Sequence, residues 1–184
     1  MAGWKDKRRV MKRYDLTADM YEERYADEQR AKYTAALENV NVNGSIVLDV
    51  GCGTGLFFSR VVAQASMVVG VDISRKLLLK AGDKAKKLSN VFVLQADADH
   101  LPLREGFFDA VFAFTVLQNI PNPQETLVEI KRVAKPGVSV VVTGLKKAFP
   151  LNKFMHVLES TSLRVASFVD VEDLKCYVAV LSAR

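Results

Sequence analysis

The stretch that most constrains the fold is VLDVGCGTG, at residues 47 to 55. An apolar strand is followed there by an acid and then by three glycines at alternate positions, in a loop that opens the next helix. Gly51, Gly53 and Gly55 remove Cβ atoms where the chain has to turn tightly and lie close to a ligand, and the helix N-terminus adds unpaired N–H groups. The sequence therefore predicts a nucleotide-like ligand at the end of the first strand of an α/β fold.

Two departures from common glycine patterns narrow the choice of nucleotide. The GxGxxG pattern of dinucleotide-binding loops needs a glycine at position 56, where this chain has Leu56, and the Lys-Ser or Lys-Thr pair of phosphate-binding loops is absent. Asp49 stands two residues before the first glycine, where a carboxylate opposes a pyrophosphate but suits a cation. S-adenosylmethionine, which carries a sulfonium and an ammonium, meets that requirement.

Two later acids close strand-like runs at positions where this ligand needs them. Asp72 ends SMVVGVD and lies near the roughly 20-residue offset from the glycine loop at which an acid accepts hydrogen bonds from ribose hydroxyls. Asp97 ends NVFVLQAD, where its carboxylate can accept from the adenine amine while the Ala98 N–H donates to a ring nitrogen. Taken alone, Asp72 could also be a helix N-cap. The ordered set of three acids predicts a cofactor site.

At these motifs the chain resembles the class I S-adenosylmethionine-dependent methyltransferases. The motifs that carry the resemblance are VLDVGCGTG, VVGVDIS, LQADADHLP and FFDAVFAFTVLQNI, and it spans roughly residues 44 to 184. It implies that Asp49 and the glycine loop hold the methionine portion, Asp72 the ribose, and Asp97 with Ala98 the adenine. Further cofactor contacts are expected at Cys52, Thr54, Ile73 and Phe114. The chain lacks the Asn-Pro-Pro-Tyr type of motif after the fourth strand and has TVLQNIPNP instead.

The resemblance implies an α/β, Rossmann-like fold whose seven-stranded, mostly parallel sheet has the order 3-2-1-4-5-7-6, with strand 7 antiparallel and helices on both faces. The apolar runs predict strands at 46–50, 67–72, 91–95, 108–114 and 138–144, alternating with helices at 55–65, 74–88 and 122–134. After a helix near 150–160, the runs 162–171 and 174–182 are close enough to form a hairpin. We expect one structural domain, with a catalytic part at 44–184 and an N-terminal segment at 1–43.

The N-terminal segment is expected to form a basic arm followed by a lid helix. That helix is predicted from about Ala18 to Val40, with Thr17 as its cap. Tyr14, Tyr21 and Tyr25 could close over the cofactor, as this segment weakly resembles the N-terminal segments of quinone-pathway and wobble-uridine methyltransferases. Packing of the aromatic rings between the helix and the sheet is the alternative.

The net charge of +5 is concentrated at the N-terminus, because residues 1 to 13 hold six basic groups against Asp6. Basic residues within 5–13 could bind the phosphates of RNA, and Trp4 could stack on a base. A solvated, disordered terminus is the alternative. No apolar run is long enough to cross a membrane, the beginning MAGWKDKRR lacks the apolar stretch of a secretory signal, and we expect a cytoplasmic protein with no membrane contact.

The predicted third strand, 91–95, would lie at an outer edge of the sheet with four consecutive apolar residues. Exposed apolar edges invite pairing with another chain. Several small methyltransferases that modify tRNA or translation factors, which this chain resembles in size and pattern, bind a small zinc-containing activator along that edge. A similar partner is therefore a hypothesis here, and cover by neighbouring helices is the alternative. The two cysteines, Cys52 and Cys176, have no metal-ligand spacing, so no metal is expected.

The loop after the fourth strand should border the acceptor of the methyl group. Thr115, Gln118 and Asn119 are the candidates for orienting it, although Gln118 and Asn119 cannot act as efficient bases at neutral pH. The first hypothesis is methyl transfer to a macromolecule, tRNA or a translation-related protein, with a partner chain. The alternatives are a small-molecule methyltransferase, for example of a quinone, and a cofactor-binding subunit without activity of its own.

Overall fold

The computed structural model describes residues 2–183, and the side chains of Ala2, Tyr21 and Arg24 lie outside what it describes. The predicted contact of Tyr21 with the cofactor therefore falls on a side chain that is not described. The helices are α1 (Ala2–Thr17), α2 (Tyr21–Leu37), α3 (Phe58–Val61), α4 (Arg75–Ala85), α5 (Pro123–Val133) and α6 (Leu151–Glu159), with short 3-10 turns at Ala18–Met20 and Leu117–Asn119. The strands are β1 (Ile46–Val50), β2 (Met67–Asp72), β3 (Val91–Gln95), β4 (Phe108–Ala113), β5 (Ala134–Leu145), β6 (Leu163–Val169) and β7 (Cys176–Ala183).

The seven strands form one sheet in the order β3-β2-β1-β4-β5-β7-β6, which confirms the predicted topology. Strands β1 to β5 pair in parallel, and β7 runs antiparallel to both β5 and β6. The central strands read as continuous apolar runs because helices cover both faces of the sheet. In β1, for example, Val47, Leu48 and Val50 are fully buried. The carboxyl ends of β1, β2 and β4 consequently meet at one edge, where the site lies.

The predicted N-terminal helix is wrong in its start and in its cap. The structure has two helices, and the first of them, α1, ends at Thr17. The Thr17 hydroxyl donates to the Arg13 carbonyl at 3.0 Å, one turn back, so it closes α1 instead of capping α2. The second helix starts at Tyr21 after a 3-10 turn, and Met20 precedes it without a side-chain cap. The basic arm predicted for residues 5–13 is therefore a folded helix.

Two other helix boundaries also differ from the sequence prediction. The helix predicted over 55–65 shrinks to Phe58–Val61, because the glycine turn continues to residue 57. At the end of α5, the strand begins directly at Ala134, and Pro136-Gly137 lie inside β5 instead of ahead of it. Gly137 has a φ of +80°, and the pairing of β4 with β5 shifts register beside it, so the Pro-Gly pair forms an irregularity within the strand.

The N-terminal helices pack onto the same body as the sheet. Helix α1 contacts α4, and α2 packs against β7. Ion pairs join Lys80 to Asp19 at 2.8 Å and Lys84 to Glu22 at 2.6 Å, so part of the basic face of α4 is paired with this segment. No helix within residues 2–183 is long and apolar enough to cross a membrane.

Candidate active site

A cleft of about 710 Å³, its open mouth included, lies at the carboxyl ends of the central strands beneath α1. Ten of the residues predicted from the sequence to contact cofactor or acceptor line it. They are Tyr14, Gly51, Gly53, Asp72, Ile73, Asp97, Ala98, Phe114, Thr115 and Asn119. Sequence reasoning missed Lys7, Val10, Leu77, Val116 and Ile120, which complete the lining together with Val71 and Ala96. The cleft is large enough for a nucleoside cofactor.

The glycine turn holds the floor of the cleft in a conformation that only glycine adopts without strain. Gly51 has a φ of +71°, and a Cβ on it would stand 2.4 Å from the Val116 Cγ2 atom. Gly53, at a φ of +57°, lets its N–H donate to Asp72 Oδ2 at 2.9 Å. Gly55 serves packing instead, since a Cβ there would meet the Phe58 ring at 2.4 Å. Gly51 and Gly53 therefore shape the cleft, while Gly55 makes room for α3.

Three of the other predicted contacts lie behind the cleft lining. Cys52 is buried, and its sulfur lies 3.0 Å from the place a Cβ on Gly70 would occupy. Burial raises the pKa of the Cys52 thiol well above its usual value, with the nearby acids adding to the effect. Thr54 is fully buried, and Gln118 is not among the lining residues, with its amide bonded to the Thr115 carbonyl at 2.7 Å.

Asp49 is a buried carboxylate beneath the glycine turn. Only 2% of it is exposed, and none of the described residues gives its carboxylate a hydrogen bond. Burial, with a further contribution from the charge of Asp72, raises the pKa of Asp49 to about 8. A buried anion without hydrogen bonds is costly, and a cation placed beside it relieves that cost. The site therefore favours a positively charged ligand next to Asp49.

Asp72 ends β2 with both carboxylate oxygens engaged by backbone donors. The N–H groups of Gly53 and Ser74 donate to its two oxygens at 2.9 and 2.8 Å. Burial raises the pKa of Asp72, and these hydrogen bonds oppose the rise. The N-cap of α4 is Ser74, whose hydroxyl accepts from the Leu77 N–H, so Asp72 is not itself the cap. Each oxygen keeps a lone pair for a hydroxyl group of a ligand.

Asp97 is paired with a lysine from α1. The Lys7 ammonium donates to the two oxygens of Asp97 at 2.9 and 2.7 Å and lies 2.5 Å from an oxygen of Asp99. Burial alone would lower the pKa of Lys7, but the hydrogen bonds to the two acids outweigh it and raise the pKa. Asp99 is 9% exposed and also accepts from the Thr126 hydroxyl. Lys7 thus stands at the adenine end of the predicted cofactor position.

Helix α1 is tied across the cleft by further polar contacts. Asp15 accepts from the Ser74 hydroxyl at 2.6 Å and from the Lys76 N–H at 3.1 Å. Arg13 donates to Asn119 Oδ1 at 2.7 Å, and the Asn119 amide donates to the Tyr14 hydroxyl at 3.0 Å. The predicted tyrosine lid at position 14 therefore sits on a helix that the sequence did not predict.

Thr115 follows β4 in a conformation that is unusual for a β-branched residue. Its φ is +62°, the one positive value found outside glycine in residues 2–183. The Thr115 N–H donates to the Thr143 hydroxyl at 2.7 Å, and its carbonyl accepts from the amides of Gln118 and Asn119 at 2.7 and 3.0 Å. Two of the three acceptor-side candidates, Thr115 and Asn119, therefore line the cleft and are held by the same loop.

The strand order, the glycine turn and the buried acids together define the class of the protein, the class I S-adenosylmethionine-dependent methyltransferases. The sequence profile described as "Methyltransferase domain" matches residues 48–142, slightly more than half of the chain, and the chain belongs to this family. The matched range runs from β1 into β5. It includes the glycine turn, the three acids and the loop after β4.

The chain is similar in sequence to small-molecule and carrier-protein methyltransferases. It is 32% identical over 146 residues to a malonyl-[acyl-carrier protein] O-methyltransferase of Marinomonas sp., covering 77% of this chain and 53% of the relative. It is also 32% identical over 142 residues to the ubiquinone/menaquinone biosynthesis C-methyltransferase UbiE of Haemophilus ducreyi, covering 73% of this chain and 55% of the relative. The chain thus spans about half the length of these curated relatives.

Solved structures with the same fold include two that cover most of both chains. A SAM-dependent methyltransferase from Aquifex aeolicus is 24% identical, with a TM-score of 0.74 over 83% of this chain and 89% of that one. A methyltransferase from Haloferax volcanii, in complex with the Trm112 methyltransferase activator, is 17% identical, with a TM-score of 0.82 over 95% of this chain and 97% of that one. At these identities the likeness shows the fold.

The residues of the cleft fit the cofactor of this family together with Asp49, which lies beneath the glycine turn and is not among the lining residues. The hydrogen-bond-free carboxylate of Asp49 suits a cationic ligand, and the missing Cβ of Gly51 leaves room for the Val116 side chain, which lines the cleft. Phe114 and Ile73 add apolar surface to the cleft. Among the described residues, no cluster of three or more histidine, cysteine or acidic side chains could hold a metal ion.

Proposed function

We propose that this protein transfers a methyl group from S-adenosylmethionine to an apolar small molecule of the quinol type. The observation that carries the proposal is the apolar wall of the cleft, to which Val10, Val116 and Ile120 contribute together with Tyr14. Such a wall suits a flat, apolar ring better than a charged phosphate backbone. The quinone methyltransferases among the sequence relatives support the same choice.

The proposal gives each of the three acids a part of the cofactor. Asp49 neutralises positive charge at the methionine portion, Asp72 accepts from the ribose hydroxyls, and Asp97 accepts from the adenine amine. Lys7 holds both oxygens of Asp97, so one of them has to be released to the adenine while Asp99 retains the ammonium. In this proposal residues 1–43 form the lid segment, and residues 44–184 form the catalytic part.

Bound S-adenosylmethionine supplies a methyl carbon that is already activated by a positively charged sulfur. The residues of this chain have to align the acceptor with that carbon and exclude water. Asn119 can orient a hydroxyl of the acceptor, because its amide is fixed by the Thr115 carbonyl and the Tyr14 hydroxyl. Val10 and Ile120 keep the approach dry.

The test is methyl transfer from radiolabelled S-adenosylmethionine to 2-prenyl-1,4-naphthohydroquinone, run beside a malonyl-carrier protein and total tRNA. We expect label in the quinol fraction. Asn119→Ala should lower that transfer by about tenfold, since it removes one positioning hydrogen-bond group. Asn122→Ala is the matched control, because the Asn122 amide reaches only Glu125 on the surface, and it should leave transfer unchanged. Label confined to tRNA or to protein would replace the proposal with a macromolecular acceptor.

A macromolecular acceptor is the second candidate, and the outer face of α1 favours it. Five basic residues spaced along that face are exposed: Lys5, Arg8, Arg9, Lys12 and Arg13. Trp4, which is 51% exposed, stands at the end of the same helix. A basic face with an aromatic end above the cleft suits RNA. Retention of the protein on total tRNA at low salt, lost in a Lys5→Ser/Arg8→Ser/Lys12→Ser variant that still binds cofactor, would support this candidate.

A partner chain on the edge of the sheet is a further part of this second candidate. Strand β3 ends the sheet, and its side chains Phe92 and Leu94 are 53% and 38% exposed. An exposed apolar edge accepts an added strand. The Haloferax volcanii protein of similar fold is in complex with Trm112. Copurification with a small zinc-binding protein, lost on Phe92→Lys, would support a similar partner, whereas a cofactor-binding, active monomer would oppose it.

A further inference from the structure

Lys32 is a buried lysine that sequence reasoning did not single out. It lies on α2, is 1% exposed, and is among the largest fully buried side chains of residues 2–183. Its ammonium lies 3.1 Å from Glu28 Oε1 and donates to the Thr115 hydroxyl at 2.8 Å. A buried ammonium is stable only when it is paired and hydrogen-bonded. The position of this charge is therefore fixed by one acid on its own helix and one residue at the end of β4.

Thr115 has an unfavourable backbone conformation, which a fixed hydrogen-bond partner such as Lys32 can stabilise. Its left-handed backbone is strained and persists only where the surroundings determine it. Lys32 holds the side chain from α2, and the Thr143 hydroxyl accepts from the backbone N–H on the other side at 2.7 Å. Thr115 is consequently held between the lid segment and β5.

The conformation of Thr115 decides where the acceptor-side residues point. Its carbonyl accepts from both Gln118 and Asn119, and the 3-10 turn at Leu117–Asn119 follows it directly. Asn119 lines the cleft, whereas Lys32 does not. Lys32 therefore contacts the loop that carries Asn119 directly at Thr115.

We propose that Lys32 is a positioning residue for methyl transfer, which holds Thr115 in its left-handed conformation and thereby aims Asn119 at the acceptor. This inference rests on the proposed function for its activity readout. It adds a residue from the lid segment to the machinery of the site. Glu28 completes the arrangement, since its other oxygen lies 3.5 Å from the Lys175 ammonium and its charge stays compensated when Lys32 is changed.

The test compares Lys32→Met and Thr115→Val with Thr115→Ser. The first two remove the hydrogen bond from opposite ends, and Thr115→Ser keeps the hydroxyl that accepts it. Lys86→Met is the matched control for charge, because Lys86 pairs with Asp83 on the exposed face of α4. Three quantities are measured for each folded variant: hydrogen exchange of peptides covering residues 115–120, kcat with the prenyl naphthohydroquinone, and the affinity for S-adenosylmethionine. Calorimetry gives the affinity for S-adenosylmethionine.

We expect Lys32→Met and Thr115→Val to accelerate exchange at 115–120 and to lower kcat by about a hundredfold, the loss that an ångström-scale misplacement causes. Their affinity for S-adenosylmethionine should stay within about threefold of the original, because neither side chain is one of the acids assigned to the cofactor. Lys86→Met should resemble the unchanged protein in all three measurements, and Thr115→Ser should show slower exchange at 115–120 and a higher kcat than Thr115→Val.

Unchanged exchange at 115–120 in both Lys32→Met and Thr115→Val would overturn the inference, as would a loss of cofactor affinity as large as the loss of kcat. Failure of the proposed function is seen separately, because the unchanged protein would then bind cofactor without methylating the quinol. Hydrogen exchange still decides the role of Lys32 in that case, since it needs no acceptor. A Thr115→Ser variant as impaired as Thr115→Val would also count against the inference.

Discussion

The charge state of Asp49 should make cofactor binding depend on pH. The pKa of this buried carboxyl is raised to about 8, so the unliganded protein holds it mostly protonated at pH 7 and below. A cationic cofactor binds the carboxylate form, and binding therefore releases a proton. Between pH 5.5 and 7.0 the affinity for S-adenosylmethionine should rise about tenfold per pH unit, which corresponds to about 1.4 kcal/mol per unit.

The assay is calorimetry at several pH values in that window, in buffers of different ionisation enthalpy so that the released proton is counted directly. The window stays below pH 7 because the amino group of the cofactor begins to titrate above it. Asp49→Asn should remove the slope and weaken binding at pH 7, since the amide is neutral at every pH. Asp83→Asn is the matched control, because Asp83 is exposed on α4, and the slope should persist in it.

The same pKa has a consequence for stability in the absence of cofactor. A carboxyl whose folded-state pKa lies above its unfolded value stabilises the fold when it is protonated, and that stability is lost as the pH rises from about 4 to about 8. Asp49→Asn should therefore raise the melting temperature of the unliganded protein more at pH 8 than at pH 5. An affinity that stays flat across the acidic window, or an equal slope in Asp49→Asn, would refute the reasoning.

Three further outcomes follow from the geometry. Gly51→Ala should abolish cofactor binding and lower the free energy of unfolding by about 3 kcal/mol in chemical denaturation, because Gly51 has a φ of +71° and an added Cβ would meet the Val116 side chain. Gly44→Ala is the control: Gly44 has a φ of +67° in open space, so this variant should cost only about 1 kcal/mol and leave binding intact. Lys7→Met should cost about 1–3 kcal/mol and make α1 more sensitive to limited proteolysis, since it leaves two acids without their cation, while Lys5→Met on the exposed face should do neither. Phe92→Lys should change stability by less than about 0.5 kcal/mol and reduce self-association in light scattering; a large drop in melting temperature would show that this side chain is part of the core.

The positions of the strands and of the three acids could be predicted from sequence because each signal is local, whereas the strand order was implied by the family resemblance. Parallel strands buried on both faces give unbroken apolar runs, and an acid at the end of such a run is visible without knowledge of the fold. Asp49, Asp72 and Asp97 were found in this way. The glycine turn could also be predicted from the sequence. The separate role of Gly55 could not, because that role depends on its contact with Phe58 in the fold.

The parts that the sequence did not predict depend on contacts between distant segments. In the sequence, Lys7 is one of six basic residues near the N-terminus. It is separated from Asp97 by 90 residues along the chain, and only the fold brings the two side chains together. Lys32 is preceded and followed by ordinary helix formers, and no neighbouring residue in the sequence indicates that its ammonium will contact Thr115 after β4. Thr17 has the residue type of a cap, but its hydroxyl bonds backward along α1, a choice that is set by the packing of that helix.

The position of α1 over the cleft should limit the rate of turnover. Spent and fresh cofactor have to pass a helix that is fastened at Lys7, Arg13 and Asp15 to three separate parts of the sheet domain. Because these fastenings must separate before the nucleoside can leave, we expect departure of the used nucleoside, and not the chemical step, to govern how often the protein acts. Helix α1 would then set the turnover rate of the enzyme.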